Sequence, residues 1–169
     1  MIDPDQCLDE RVRGIIATLG RQGRTLAVAE SCTGGGLGAC LTTVPGSSTV
    51  FVGGVIAYSN SLKIELLGVS PTVLESQGAV SRDTVAAMAI GVRDATGADW
   101  GIAITGIAGP GGGDQERPVG TVWIGASGPG LQSALCKKHL FSGDRPEIRS
   151  SSIHAALDLL SRTIGEPDD

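Results

Sequence analysis

Five short strand patterns most constrain the fold of this 169-residue chain. They fall at residues 25–29, 51–57, 100–105, 119–126 and 133–141, and runs of this length are typical of strands in a covered sheet. Helical patterns separate the first three strands, whereas the last three follow one another without a helix. This order predicts an α/β fold in which helices cover both faces of a mixed β-sheet, a three-layer α/β/α sandwich.

The predicted helices begin at polar or proline residues and mostly end at glycines. An opening helix follows Asp3 and Pro4, and a glycine-rich helix follows the first strand. Later helices are predicted to begin at Asn60 or Ser61, Ser70, Ser81 and Asp144. The length fits one domain over residues 1–169 with its core at about 8–164, and residues 166–169 are predicted to fray.

The charge of the chain disfavours a nucleic-acid partner. The formal net charge is −5, and no block of five basic residues occurs. Duplex nucleic acid normally requires a basic face. A small anionic ligand remains compatible with this composition, because one pocket needs only local cationic side chains and N–H groups.

The cysteines and the N-terminal sequence predict a reduced, cytoplasmic protein without a membrane partner. Cys7, Cys32, Cys40 and Cys136 show no C-x-x-C spacing, so no metal site is predicted. The N-terminus lacks a basic segment followed by an apolar one, and no apolar run approaches the ~20 residues of a membrane span.

The segment from Glu30 to Gly36 is the strongest candidate for a site. A serine followed by glycines after a buried strand is typical of a tight exit into a helix, where N–H groups are free to bind anions. The Ser31 hydroxyl is then presented to a polar pocket. The alternative is that Ser31 only caps the helix and that the glycines only permit close packing.

Other candidates also follow predicted strands. In sheets of this kind ligands bind at the carboxyl ends of strands, which places Ser31, Tyr58, Thr105 and the glycine-rich loop at residues 106–118 in one crevice. Tyr58 is a candidate proton relay or oxyanion donor, and its alternative is a packed ring with a hydrated hydroxyl.

A hydrolytic serine also needs a base. His139 lies in a predicted strand and His154 among helical apolar positions, so both are interpreted as structural, and a Ser-His-Asp triad is disfavoured. Lys63 is the better candidate, because burial beside a strand end lowers the pKa of an amine. Its alternative is a solvated surface charge. Arg145 and Arg149 are candidates for binding an anion, or are simply solvated.

Five ordered motifs together resemble the CinA C-terminal domain family over residues 15–160. They are Glu30-Ser31-Cys32-Thr33-Gly34-Gly35, Val44-Pro45-Gly46-Ser47-Ser48, Gly54-Val55-Ile56-Ala57-Tyr58-Ser59-Asn60 with Lys63, Gly78-Ala79-Val80-Ser81, and Thr105-Gly106-Ile107-Ala108-Gly109-Pro110-Gly111-Gly112 with Pro118-Val119-Gly120-Thr121-Val122. Members of that family are nicotinamide-nucleotide amidases, also called NMN deamidases.

The resemblance implies hydrolysis of nicotinamide mononucleotide to nicotinate mononucleotide and ammonia, in salvage of pyridine nucleotides for NAD. It also implies an α/β sandwich, no metal or organic cofactor, and homodimers. The family's nucleophile matches Ser31, and its lysine and tyrosine match Lys63 and Tyr58. Residues matching substrate-site positions are Ser48, Thr105 and Gly106, and Arg145 fits a Gly-Asp-Arg segment of the family.

The chemistry expected of the remaining residues follows from amide hydrolysis. N–H groups near Thr33, Gly34 and Gly35, or near Gly106, are expected to hold the oxyanion. The nucleotide phosphate then requires backbone N–H groups or Arg145. Which glycine segment has which role is left open by the sequence.

Two other functions compete with the amidase hypothesis. One is a nucleotide-binding module without turnover, which has no need for Ser31, Tyr58 and Lys63 together. The other is an adapter in competence or DNA-damage responses, suggested only by the historical name of the family. Many members also carry an N-terminal domain resembling molybdopterin-binding proteins, for which this chain is too short, so its ADP-ribose pyrophosphatase activity is not expected here.

Overall fold

A computed structural model describes residues 4–165 of the chain, with side chains from residue 10 onward. The elements are α1 (Pro4–Gln22), β1 (Leu26–Glu30), α2 (Gly36–Leu41), a 3₁₀ turn (Ser47–Thr49), β2 (Phe51–Ile56), α3 (Asn60–Leu67), α4 (Pro71–Gln77), α5 (Arg82–Thr96), β3 (Trp100–Gly106), β4 (Thr121–Ser127), β5 (Leu135–Leu140) and α6 (Arg145–Ile164). The fraying predicted for 166–169 lies outside the described residues.

The five strands form one mixed sheet in the order β2-β1-β3-β4-β5. β1 pairs in parallel with both β2 and β3, and the β3–β4 and β4–β5 pairs are antiparallel. The predicted α/β fold with a mixed sheet is therefore confirmed. The second strand was predicted to be buried, and this is wrong: because β2 lies at the edge of the sheet, its residues are alternately exposed and half-buried.

Each face of the sheet is covered by its own set of helices. On one face α1, α2 and α6 pack on side chains such as Ile102 and Ile104 of β3. On the other face α5 packs on the smaller side chains of β1 and β3, among them Ala103, and α3 packs against α5. The alternation along β3 follows from the period of two in a strand. The arrangement is a three-layer sandwich.

Local sequence signals fix most helix ends. The predicted capping box of α6 is confirmed, since the Asp144 side chain accepts from Glu147 N while Glu147 accepts from Asp144 N. Ser81 caps α5 as predicted. The cap of α3 is Ser59 rather than Asn60 or Ser61, because the Ser59 hydroxyl is the group that accepts from Leu62 N.

Packing of α5 against α3 depends on Gly91. A Cβ at this position would overlap the carbonyl oxygen of Leu67, which is backbone at the end of α3 and has little freedom to move. We expect Gly91→Ala to lower the free energy of unfolding by about 1–3 kcal/mol. The control is Gly14→Ala in α1, where a Cβ meets nothing within 4 Å and helix propensity should raise stability by up to ~1 kcal/mol. Chemical denaturation measures the free energy of unfolding of both variants. Equal changes in the two variants would contradict the prediction.

Candidate active site

Ser31 lies at the carboxyl end of β1, between two neighbouring strands. Its backbone N–H donates to the Ile104 carbonyl of β3 at 3.0 Å, which continues the strand pairing one residue beyond β1. The side chain is 8% exposed. α2 begins only at Gly36 and its N-cap, Gly35, makes no side-chain cap bond. Ser31 is therefore not the helix cap that the alternative interpretation proposed.

Lys63 contacts the hydroxyl of Ser31. β2 and α3 bring the lysine to the same end of the sheet, where its Nζ lies 3.1 Å from Ser31 Oγ. The same Nζ donates to the carbonyl oxygens of Ala57 at 2.7 Å and Tyr58 at 3.4 Å. Lys63 is only 1% exposed, so the alternative of a solvated surface charge is wrong.

Burial changes the protonation of two groups beside the serine. Desolvation lowers the pKa of Lys63, and the neighbouring Cys32 thiol acts in the opposite direction only when it is ionised. Burial also raises the pKa of Cys32 to about 11. Because Cys32 is then a neutral thiol near pH 7, desolvation dominates, and the lysine amine is more readily neutral than a solvated one.

A cavity of about 270 Å³ opens beside the serine and lysine. The lining residues include Ser31, Cys32, Tyr58, Lys63, Thr105, Gly106, Gly109, Gly111, Gly112 and Arg145. Six of the predicted site residues therefore share one crevice at the carboxyl ends of β1 and β3. The hydroxyl of Thr105 donates to the Ala79 carbonyl at 2.8 Å, so it ties the α4–α5 connection to the sheet.

The glycine-rich loop supplies backbone donors to this cavity. Ala108, Gly109, Gly111 and Gly112 all line it. Among the residues that the structure describes, none of their N–H groups donates a hydrogen bond to the protein. Unused N–H groups at the wall of a pocket are available to an anion.

Arg145 crosses from the first turn of α6 to two other parts of the cavity. Its guanidinium donates to the Gly109 carbonyl at 2.7 Å and to the Tyr58 hydroxyl at 3.1 Å. Tyr58 is 61% exposed, and the Tyr58 atom that approaches Lys63 is the backbone carbonyl. The tyrosine hydroxyl is thus held by Arg145 and is not hydrogen-bonded to Ser31 or Lys63.

The turn after Ser31 uses most of its own N–H groups. Gly34 N donates to Ser31 O at 3.1 Å, Gly36 N donates to Thr33 O at 3.1 Å, and Gly35 N donates to the Glu30 side chain at 3.1 Å. Thr33 is fully buried. Within the described chain, the N–H groups of Cys32 and Thr33 are the ones in this turn that donate to no other residue, and only Cys32 also lines the cavity.

Ser48 lies away from the cavity of its own chain. It is exposed in the 3₁₀ turn that precedes β2, whereas Ser31 lies beyond the opposite end of the parallel β1–β2 pair. Of the other predicted residues, Thr33, Gly34 and Gly35 shape the turn without lining the cavity. Glu30 was not singled out by sequence reasoning, although its burial and contacts make it a central residue of the turn.

The remaining sequence expectations concern the histidines, the thiols, metal ligands and membrane spans. His139 lies in β5 with its ring stacked on Phe141, and burial lowers its pKa. Cys32, Cys40 and Cys136 are free thiols, and the side chain of Cys7 falls outside the described residues. The part of the chain that the structure describes contains no group of three metal-ligating side chains. None of its helices is long and apolar enough to cross a membrane.

Comparison with known sequences gives a consistent family assignment. A model described as the CinA C-terminal domain matches residues 9–164. A CinA-like protein of Synechocystis is 52% identical over 158 residues, covering 92% of this chain and 38% of that protein. A CinA-like protein of Myxococcus xanthus is 50% identical over 146 residues, covering 86% and 34% respectively. The chain therefore spans less than two fifths of the length of these relatives.

Solved structures resemble the chain over nearly its whole length. The competence/damage inducible protein CihA from Agrobacterium tumefaciens has a TM-score of 0.91 and 36% identity, with coverage of 98% of this chain and 99% of the other. A competence-damaged protein (CinA) superfamily protein from Enterobacter cloacae has a TM-score of 0.89 and 35% identity, with coverage of 94% and 92%.

Proposed function

Since the chain belongs to the CinA C-terminal domain family, we propose that it hydrolyses the carboxamide of nicotinamide mononucleotide with Ser31 as nucleophile and Lys63 as base. The observation that carries the proposal is the 3.1 Å contact between Lys63 Nζ and Ser31 Oγ in a buried setting. A nucleophile within hydrogen-bond reach of a base is the arrangement that covalent amide hydrolysis requires.

The partners of Lys63 favour the direction of proton transfer from serine to lysine. A neutral amine has two N–H groups and one lone pair. The Ala57 and Tyr58 carbonyl oxygens accept hydrogen bonds and cannot donate them. They therefore take the two N–H groups, and the lone pair is left for the Ser31 hydroxyl, which is the one donor among the three partners.

The reaction then proceeds in two halves. Ser31 Oγ bonds to the carboxamide carbon while its proton moves to Lys63 Nζ, and the carbon–nitrogen bond breaks as the lysine protonates the departing ammonia. The result is a nicotinoyl ester of Ser31. Water attacks this ester, gives its proton to Lys63, and displaces Ser31 Oγ, which recovers a proton from the lysine. The product is nicotinate mononucleotide.

Backbone N–H groups are assigned to the oxyanion that forms when the serine attacks and to the phosphate of the substrate. The N–H of Cys32, directly after the nucleophile and on the cavity wall, is assigned to the oxyanion. The N–H groups of the glycine-rich loop are assigned to the phosphate, together with Arg145, which already lies against Gly109. The sequence left both roles open between the two glycine segments, and this division is the one we propose.

The size of the cavity supports a mononucleotide substrate. Its volume of about 270 Å³ lies just below the roughly 300–1,000 Å³ typical of pockets for drug-sized ligands. A dinucleotide such as NAD would have to leave its second nucleotide in solvent. The buried serine–lysine contact also weighs against a binding module without turnover. Burial favours the neutral amine, which attracts an anion less than an ammonium does but can accept the proton of a nucleophile.

Ammonia release from nicotinamide mononucleotide, nicotinamide riboside and NAD tests the proposal. We expect the mononucleotide to be hydrolysed with the highest kcat/KM, because it fills the cavity and meets both sets of donors. Absence of ammonia from all three compounds, with the protein folded, would reject amide hydrolysis of pyridine nucleotides. Preference for the riboside or for NAD would retain the chemistry and reject the mononucleotide as substrate.

Loss of the substrate phosphate should weaken catalysis by removing charge-assisted hydrogen bonds. A hydrogen bond to a charged group contributes about 1.5–3 kcal/mol, so nicotinamide riboside should be at least about tenfold poorer in kcat/KM. Arg145→Ala should narrow this gap by harming the mononucleotide selectively. The control is Arg162→Ala, an exposed residue of the same helix outside the cavity. Equal cleavage of riboside and mononucleotide by the unmodified protein would exclude the phosphate site.

A further inference from the structure

Glu30 is a buried carboxylate at the end of β1 that is satisfied entirely by backbone N–H groups. It is 1% exposed. One oxygen accepts from Gly35 N at 3.1 Å and Leu37 N at 3.0 Å, and the other accepts from Gly38 N at 2.8 Å. Within the described residues it forms no ion pair. An ionised carboxylate is costly to bury, and charge-assisted bonds of this kind offset that cost.

These hydrogen bonds connect the two ends of the turn that carries Ser31, at residues 30–38. Glu30 precedes Ser31 directly, whereas its three donors lie five to eight residues later. The segment from Ser31 to Gly34 is thus fixed at both ends. Two further hydrogen bonds stabilise this segment. Gly34 N donates to Ser31 O within it, and Arg149 of α6 donates to Thr33 O at 2.8 Å.

Gly35 is the glycine of this segment whose backbone conformation the Glu30 contacts depend on. It has a φ of +96°, a conformation that L side chains rarely adopt, and a Cβ here would lie 3.0 Å from Ile56. A side chain at Gly35 would therefore strain the backbone that presents its N–H to the carboxylate.

Resting on the proposed function, we infer that Glu30 is the positioning residue of the nucleophile. By holding the turn, it keeps Ser31 Oγ against Lys63 and fixes the backbone of Cys32 at the wall of the cavity. Glu30 itself does not line that cavity, and both of its oxygens are engaged. It therefore acts through Ser31 and Cys32, and it neither binds substrate nor transfers a proton.

Glu30→Gln tests this inference with little change in shape. A glutamine amide has one acceptor oxygen, and its NH₂ group faces an N–H donor where the second carboxylate oxygen was. A misplaced nucleophile commonly lowers the rate by up to a hundredfold, so we expect kcat to fall by about 10–100-fold. KM should change less than about threefold, because the residues assigned to the phosphate are untouched. The matched control is Glu65→Gln, an exposed glutamate of α3, which should leave both constants unchanged.

A second variant separates positioning from folding. Glu30→Asp keeps the charge but shortens the side chain by one methylene, so it cannot hold all three N–H groups, and kcat should fall as in Glu30→Gln. Hydrogen exchange at Gly35, Leu37 and Gly38 should accelerate in both variants while exchange in the sheet is unchanged. The inference would be overturned if the folded variants kept their kcat, or if the fall in kcat were matched by an equal rise in KM. Loss of structure in both variants would also overturn it.

A chemical probe of Ser31 distinguishes this inference from the proposed function. An alkyl fluorophosphonate forms a bond from phosphorus to Ser31 Oγ and releases fluoride, so it needs an activated serine but no particular substrate. If the unmodified protein releases no ammonia yet reacts, and Glu30→Gln slows the reaction at least tenfold, the substrate assignment fails and the positioning role stands. If Ser31 in the unmodified protein neither turns over nor reacts, both proposals fail.

Discussion

A Ser31→Ala protein is expected to release ammonia from nicotinamide mononucleotide at least about a thousandfold more slowly than the unmodified protein. The hydroxyl is the atom proposed to bond to the carboxamide carbon, and no other hydroxyl lies beside Lys63 Nζ among the described residues. Stability should change little, because the side chain caps no helix and its one described hydrogen bond is to Lys63. Steady-state ammonia release and thermal unfolding measure the two effects.

Ser48→Ala is the matched control for this experiment. Ser48 belongs to a family motif but is exposed beyond the opposite end of the β1–β2 pair. If one copy of the chain forms the whole site, its hydroxyl should not affect the chemistry, and the variant should keep the activity of the unmodified protein. Normal turnover by Ser31→Ala would reject Ser31 as the nucleophile. If Ser48→Ala were inactive at the same time, Ser48 would be the nucleophile instead.

The meeting of Ser31 and Lys63 is the part of the site that the sequence predicted best. Both residues follow strands that the sequence identifies, and β1 and β2 are parallel neighbours. The carboxyl ends of parallel neighbours lie side by side, so polar residues just beyond them share a crevice. The sequence did not predict the pairing of β1 with β2 or the cap at Ser59, and these two features bring the amine to the hydroxyl.

The role of Glu30 could not be predicted in the same way. A glutamate at a strand end has no periodicity or spacing that marks it as a partner for N–H groups five to eight residues later. Those contacts depend on the path of the glycine turn in three dimensions. For the same reason the sequence left open which glycine segment binds an anion, since Gly34 and Gly35 proved to donate within the turn.

Side-chain direction explains the different outcome at Tyr58. The sequence places the residue at a strand end but does not fix its χ1 rotamer, which decides where the hydroxyl lies. In the structure the hydroxyl accepts from Arg145, a residue 87 positions later in the chain. Tyr58 is therefore better placed to hold the arginine proposed for the phosphate than to relay a proton from Ser31.

Lys63→Arg is expected to be as inactive as Lys63→Ala, with a loss of at least about a thousandfold in kcat/KM. A guanidinium stays protonated at any working pH, so it has no lone pair to accept the proton of Ser31. Burial lowers the pKa of Lys63 from its ordinary 10.5. Activity of the unmodified protein should therefore rise with pH through that lowered pKa and then level off, as the neutral amine becomes the main form.

The pH profile of kcat/KM and the two lysine variants decide whether Lys63 is a base or only a charge. A base must lose its proton first, so protonation on the acid side removes activity, whereas a residue that supplies only positive charge would lose activity as pH rises. Lys138→Arg, an exposed lysine of β5 outside the cavity, controls for the substitution itself and should match the unmodified protein. Substantial activity in Lys63→Arg would reject the lone-pair mechanism, because the arginine retains the charge and the neighbouring carbonyl acceptors but no acceptor for the serine proton.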